Sequence, residues 1–318
     1  IIRRLPAAET LGSCTIIMSD KTGTLTRNEM IVQEIWSGEE LYTVEKNAFH
    51  LRQNGDSRII DTEENSPLRQ TLIAGVLANQ ASLRRESDKN IVHGDPTETA
   101  LLLSGSTAKI YREDLVEDYP VIEEIPFDPN KRYSATIFAE KDGEKAFLKG
   151  APERIISASS TYLTHGGKRD IDRKMLSDQA EAMAKRGMRV LAMAVAADEQ
   201  AVNALRDGNP KYLTFLGLQA MIDPPRSDAI EAVKKCHRAG IRVAMVTGDN
   251  PVTAVAIANK VGITDTTEVV TGVALDKMSD QELEDKLRST LVYARVSPGQ
   301  KLRLVNTLRG IGEIVAVT

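Results

Sequence analysis

Beyond residue 240 the chain keeps a strict rhythm that restricts its fold more than any other feature. A strand-like run at 241–246 precedes a helix over 251–261, another at 269–271 precedes a helix over 280–287, and a third at 291–294 precedes a helix over 298–308. Residues 314–318 then open a further strand. Short apolar runs alternating with helix-length segments predict βαβ units and a parallel, doubly wound sheet. Ligands on such sheets bind at the carboxyl ends of the strands. Near the start of the chain, Cys14-Thr15-Ile16-Ile17-Met18 runs into Ser19-Asp20 and reads as one more buried strand ending in a loop. The economical topology joins residues 1–30 and 220–318 in one sheet, with 31–219 inserted between them. Asp20, Thr247 and whatever follows Thr318 then share the same end of that sheet.

The inserted region lacks this alternation. Asn54-Gly55 and Asp142-Gly143 are hairpin turn pairs, each set between strand-like flanks at 51–60 and 133–148. Asp95-Pro96-Thr97-Glu98 reads as a helix start, with Asp95 as N-cap, Pro96 at the first position and Glu98 three residues on. Strands interspersed with helices in this way predict an α+β domain with an antiparallel sheet. A chain of 318 residues fits two domains of roughly 150 residues each.

Composition removes several function classes. With 42% hydrophobic and 27% charged residues the chain is a folded domain rather than a disordered tail. A net charge of −4 without a basic block argues against nucleic acid as a partner, and 4% aromatics argue against a stacking platform for single strands. Cys14 and Cys236 lie far apart, and His50, His93, His165 and His237 are scattered, so neither a disulfide framework nor a histidine metal site is expected. No apolar run approaches the ~18–20 residues of a membrane helix, and the opening Arg3-Arg4 segment does not read as a signal peptide.

The chemistry concentrates in Asp20-Lys21-Thr22-Gly23-Thr24-Leu25-Thr26. A carboxylate at a strand's carboxyl end can act as a nucleophile and form an aspartyl-phosphate, and the polar turn after it can offer N–H groups and hydroxyls to phosphate oxygens. This heptapeptide resembles the phosphorylation signature of P-type cation-transporting ATPases. Further segments fit that family in the right order. Gly94-Asp95-Pro96-Thr97-Glu98 resembles the segment whose glutamate, here Glu98, faces the adenine amino group. Phe127 stands where the family stacks an aromatic on adenine. Lys149-Gly150-Ala151-Pro152-Glu153 is similar to the motif whose lysine lines the adenosine site. Arg189 matches an arginine reaching the β-phosphate, and Asp223-Pro224-Pro225-Arg226 matches the family's hinge motif. Met245-Val246-Thr247-Gly248-Asp249-Asn250 resembles the loop that holds the γ-phosphate through Thr247 and Gly248. The segment from Ala294 through Arg295 to Lys301 ends in the lysine that neutralises the transferred group.

The resemblance implies an α/β fold: a haloacid-dehalogenase-like doubly wound parallel sheet, the phosphorylation domain, at 1–30 and 220–318. It also implies an inserted α+β nucleotide-binding domain at 31–219, built on an antiparallel sheet. Catalysis falls to Asp20, Lys301, Thr247 and Gly248, with Lys21, Thr22, Gly23 and Thr24 as the phosphate loop. Glu98, Phe127, Lys149, Gly150, Arg189, Asp223, Asp249 and Arg295 form the nucleotide set. ATP is the implied substrate and Mg²⁺ the implied cofactor, held by Asp20 and Thr22 with a second carboxylate outside this chain. The family continues after the strand at 314–318 with Gly-Asp-Gly-x-Asn-Asp, whose aspartates hold Mg²⁺, so the phosphorylation domain is expected to be incomplete here. The implied partners are a cation carried through membrane helices and an actuator domain of the same polypeptide. The chain would be the cytoplasmic portion of an integral membrane protein, in the branch moving calcium, sodium or protons. The segment 3–12 is similar to the one leaving the family's fourth membrane helix.

Each residue also has a purely structural reading: Phe127 as core, Arg189 at a strand end, Glu98 as the capping partner of Asp95, Lys301 as a solvated helix lysine. Two other functions are open. A free-standing haloacid-dehalogenase phosphohydrolase would use the same nucleophile, but typically carries an acid/base aspartate two residues later, where this chain has Thr22. A non-catalytic nucleotide-binding module is the other.

Overall fold

A computed structural model describes residues 12–318 except 46, 54–55, 63–65, 86–89 and 142. The turn pair Asn54-Gly55, Asp142 and the opening segment through residue 11 therefore lie outside the described residues. The chain divides into two compact units, one holding the described residues up to Glu29 together with Asp223–Thr318, the other Met30–Ile222.

The first unit is built on five parallel strands in the order Val270–Thr271, Val292–Ala294, Arg242–Val246, Ile16–Asp20 and Val315–Val317. Alternation along Ile16–Asp20 sends Ile16 and Met18 to one face. There they join Val246, Tyr293, Leu283 and Leu304 in a buried cluster. Ile17 faces the other way, toward Ala229 and Val233 on the helix Ser227–Arg238. Helices thus cover both faces, the haloacid-dehalogenase-like arrangement expected. Cys236 lies on that same helix, half-buried, and Cys14 is buried just before the first strand. The helix Gly272–Lys277 is an addition to the sequence reading.

The second unit is a largely antiparallel sheet. Its main path runs Asp56–Ile60, Ala48–Gln53, Glu40–Glu45, Ile31–Ser37, Leu213–Ile222, Arg189–Ala196, Gly143–Gly150, Tyr133–Glu140 and Val121–Asp128. Ser159–Thr164 joins it through a parallel pairing with Leu213–Ile222 and carries Gly167–Asp170 as a hairpin partner. Two helices supply the apolar cover. Pro67–Leu77 starts at Ser66, whose hydroxyl accepts from Arg69 N at 3.2 Å. Pro96–Thr107 starts at Asp95, whose Oδ1 accepts from Thr97 N at 2.8 Å and Glu98 N at 3.3 Å. Leu72, Leu77, Leu101, Phe138 and Phe147 are buried between these helices and the sheet. Each such side chain contributes about 1.5–3 kcal/mol relative to exposure.

Gly150 shows how tightly the sheet is drawn. It pairs with Tyr133, and a Cβ there would stand 2.6 Å from the Arg132 carbonyl oxygen and 2.8 Å from Tyr133 Cβ. Gly150→Ala is expected to destabilise the second unit by about 2–3 kcal/mol, read as a lowered urea midpoint; an unchanged midpoint would show that the strands can part without cost. Among the described residues no helix is long and apolar enough to cross a membrane.

Candidate active site

Asp20 ends its strand in register with Val246 on the neighbouring one, which puts it beside Thr247 at the sheet's carboxyl edge. The chain leaves in a tight turn, Lys21–Leu25, where Gly23 adopts φ +74°, a region glycine enters at little steric cost. Thr26 closes the turn by donating its N–H to the Lys21 carbonyl at 3.0 Å.

The helix Pro298–Gly310 brings the opposing charge. Its start is fixed by a capping box: Ser297 Oγ accepts from Gln300 N at 3.3 Å, and Gln300 Oε1 accepts from Ser297 N at 2.9 Å. Lys301 follows in that first turn, and its Nζ donates to Asp20 Oδ2 at 2.6 Å. Oδ1 of Asp20 has no hydrogen-bond partner among the described residues. The side chain is 39% exposed, so the free oxygen faces a solvent-accessible edge.

The loop after Val246 is held from several sides. Thr247 is buried; its N–H donates to Tyr293 O at 2.9 Å, and its hydroxyl accepts from Asp249 N at 3.1 Å. Arg295, at φ +52° with its side chain exposed, donates its N–H to Asp249 O at 2.9 Å. The helix Pro251–Val261 is capped by Asn250, which accepts from Thr253 N at 3.0 Å. Thr247-Gly248-Asp249 therefore stands just ahead of the cap, whose place the Asn250 side-chain carbonyl takes. Lys21 is buried, with Nζ 2.7 Å from Asp249 Oδ2 and 3.5 Å from Asp223 Oδ2. Thr22 is exposed and Thr24 half-buried.

In the second unit the structure brings Lys149 and Glu98 together, Nζ to Oε1 at 2.7 Å, with both side chains largely buried. Lys149 also donates to the Ala78 carbonyl, and Glu98 Oε2 accepts from Gln80 N at 3.2 Å. The Glu98 carboxylate is thus engaged away from the helix start, and Asp95 caps without a reciprocal partner. Burial pushes the Lys149 ammonium below its ordinary value, against the upward pull of Glu98; the nearby Arg112 adds to the lowering. Arg112 was not singled out by the sequence reading. It donates to Asn79 O at 2.5 Å and to Glu124 at 3.3 Å, next to the carbonyl that Lys149 holds. No motif or spacing links it to Lys149, so only folding reveals it.

Phe127 is 59% exposed on the edge strand Val121–Asp128, where the pairing register breaks between Ile125 and Asp128. A core role for Phe127 is excluded by that exposure. Arg189 begins the strand Arg189–Ala196, exposed, three residues beyond the Ala192 that pairs with Gly150. At about 3.3 Å per residue this separates them by roughly 10 Å along the sheet. Among the described residues there is no group of three or more His, Cys, Asp or Glu side chains placed to hold a metal ion.

Comparison with known proteins identifies the family. Residues 67–228, just over half of the chain, match the family model described as "P-type ATPase, cytoplasmic domain N". The whole chain aligns with the "Probable cation-transporting ATPase F" of Mycobacterium tuberculosis at 41% identity over 332 residues, covering 36% of that protein. It aligns with "Cation-transporting ATPase pma1" of Synechocystis at 39% identity over 330 residues, covering 36%. It aligns with the "Calcium-transporting ATPase" of Bacillus subtilis at 34% identity over 329 residues, again covering 36%. The chain spans about a third of the length of these curated relatives.

Proposed function

This chain belongs to the P-type ATPase family, and from that premise we propose that it is the ATP-binding and phosphoryl-accepting part of an ATP-driven cation pump, on the cytoplasmic side of an integral membrane protein. The observation that carries the reading is the Asp20–Lys301 contact at the carboxyl edge of the parallel sheet, 2.6 Å long and open to solvent.

In this reading Glu98, Phe127, Lys149, Gly150 and Arg189 receive the nucleotide, Phe127 offering an exposed ring face to the base. The γ-phosphorus is then presented to Asp20. The free Oδ1 attacks, an O–P bond forms, and the bond to the bridging oxygen of ADP breaks, so the leaving electron pair stays on ADP. Lys301 holds the carboxylate in place before attack and balances charge on the transferred group after it. Thr247 and Gly248 supply the fixed loop against which the phosphate oxygens settle, with Asp249 and Arg295 holding its far side. Transfer is chiefly positioning and charge stabilisation.

Asp20 keeps one carboxylate oxygen unengaged at a solvent-accessible edge, whereas Asp223 and Asp249 are both tied to Lys21. A free oxygen on Asp20 fits Mg²⁺, which favours one or two carboxylates and completes its shell with phosphate oxygens and water. Asp20, with Thr22 in the turn after it, would hold the ion, and the ion would offset the charge of the phosphate oxygens. Thr22 in place of a second carboxylate favours a stored acyl-phosphate over rapid hydrolysis. In the intact protein that stored energy would drive a cation through membrane helices, with an actuator domain completing the cycle.

The test is acid quenching of the full-length polypeptide after mixing with γ-labelled ATP and Mg²⁺. A hydroxylamine-sensitive phosphoprotein is expected. Free phosphate without such a species would instead indicate a phosphohydrolase, and bound nucleotide without either product a binding module. Gly248 gives a second prediction. A Cβ there would meet nothing within 4 Å, so the fold itself does not require glycine. Gly248→Ala should leave the melting temperature unchanged while slowing phosphoprotein formation about 10–100-fold, through displacement of the phosphate. An unchanged rate would remove Gly248 from the phosphate's path.

A further inference from the structure

We infer that Lys21 is a positioning residue: its ammonium ties the Thr247–Asn250 loop to the crossing segments at Thr26 and Asp223, and it does not bind phosphate itself. The inference rests on the proposed phosphoryl transfer to Asp20 and deepens it.

The Lys21 side chain is only 7% exposed, although the next three residues lie at the turn's surface or partly open to it. Its Nζ lies 2.7 Å from Asp249 Oδ2 and 3.5 Å from Asp223 Oδ2. Asp223 is itself buried and has further donors: Thr26 Oγ1 at 2.5 Å on Oδ2, and Glu29 N at 3.3 Å on Oδ1. The two segments that carry the chain out of and back into the first unit are also joined by backbone bonds, Arg27 N to Pro224 O at 3.1 Å and Arg226 N to Leu25 O at 2.9 Å. Lys21 therefore stands where three segments meet, and it is the cation between two carboxylates from different segments.

A buried ammonium so placed has little freedom. To reach a phosphate on Asp20 it would have to leave Asp249 and Asp223, abandoning two carboxylates of which one is almost fully buried. Its effect on the reaction instead runs through Asp249. That residue's N–H donates to the Thr247 hydroxyl and its carbonyl accepts from Arg295, so holding its carboxylate fixes the backbone on either side of Gly248. The same ammonium also registers any shift of Asp223, which lies on the return crossing. The loop facing Asp20 and the crossing are thus one hydrogen-bonded body.

Hydrogen–deuterium exchange and phosphorylation kinetics on the full-length polypeptide test this without nucleotide and with it. Without nucleotide, Lys21→Met is expected to speed amide exchange across 247–250 by about fivefold or more, and Lys21→Arg to stay within about twofold of the parent. Asp249→Asn, on the more exposed partner, should give the same acceleration from the other side. The double variant should be no faster than Lys21→Met alone, because both changes remove the same Lys21–Asp249 contact. In the kinetics, Lys21→Met should lower the phosphorylation rate while leaving the KM for ATP within about twofold. Exchange at 247–250 that is unchanged in Lys21→Met and in Asp249→Asn would overturn the inference, as would single effects that multiply in the double variant. The exchange readout needs no catalysis. A parent protein that forms no phosphoprotein, yet shows the coupled exchange, would therefore refute the function and leave the positioning role standing.

Discussion

Asp20→Asn in the full-length polypeptide is expected to abolish the acid-stable phosphoprotein, a loss of at least about 10³-fold, with nucleotide affinity essentially kept. The amide is nearly the same size, so the strand Ile16–Asp20 and its pairing with Arg242–Val246 should persist. What disappears is the anionic oxygen that attacks and the charge that attracts Lys301. The proposed nucleotide residues Glu98, Phe127, Lys149, Gly150 and Arg189 all belong to Met30–Ile222, whereas Asp20 belongs to the other unit. Acid quench of the variant and equilibrium binding of ATP measure the two halves separately. Label retained on the variant would rule Asp20 out as the acceptor, and lost binding would show that the nucleotide depends on its charge.

The second large effect belongs to Lys149. Lys149→Ala leaves Glu98 in a largely buried position without its cation and removes the donor to the Ala78 carbonyl. Breaking such a pair from one side costs about 3 kcal/mol, against a total stability of roughly 5–15 kcal/mol, so the chain still folds. ATP binding should weaken several-fold in titration calorimetry, and unchanged binding would remove Lys149 from the nucleotide site. The ammonium also leaves a pH signature. Burial holds its folded value below the ordinary 10.5, so between the two values the unfolded chain binds more protons than the folded one. Stability from this group therefore rises with pH as the window below 10.5 is crossed. Lys149→Met should flatten that rise in urea midpoints measured across the alkaline range, and an identical slope in parent and variant would contradict it.

Contiguous chemistry was legible in the sequence and long-range pairing was not. Asp20–Thr26 is one uninterrupted segment, and the alternation after residue 240 places its strands within a residue or two of those observed. The helix Pro67–Leu77 gave no such signal, because it is buried on nearly every side and shows no polar stripe. The parallel pairing of Ser159–Thr164 with Leu213–Ile222 joins residues some fifty positions apart, which no local turn announces. At the site, Lys21 reads in sequence as part of a phosphate-facing turn, yet the fold aims it at Asp249 and Asp223. Its neighbours along the chain say nothing about those partners. Lys149 and Glu98 became a buried ion pair for the same reason.

The insertion has a consequence for the order in which the protein can be made. Ile16–Asp20 finds its first strand partner in Arg242–Val246, and the second comes later still, at Val315–Val317. A ribosome must therefore translate the whole of Met30–Ile222 before the strand bearing Asp20 has anything to pair with. The inserted sheet meanwhile contains all its own partners, and its end strands Ile31–Ser37 and Leu213–Ile222 zip together with Ile31 opposite Ile222. Synthesis thus favours a finished insert followed by late completion of the five-stranded sheet. Until that completion the apolar residues Ile16 and Met18 wait uncovered on the nascent chain.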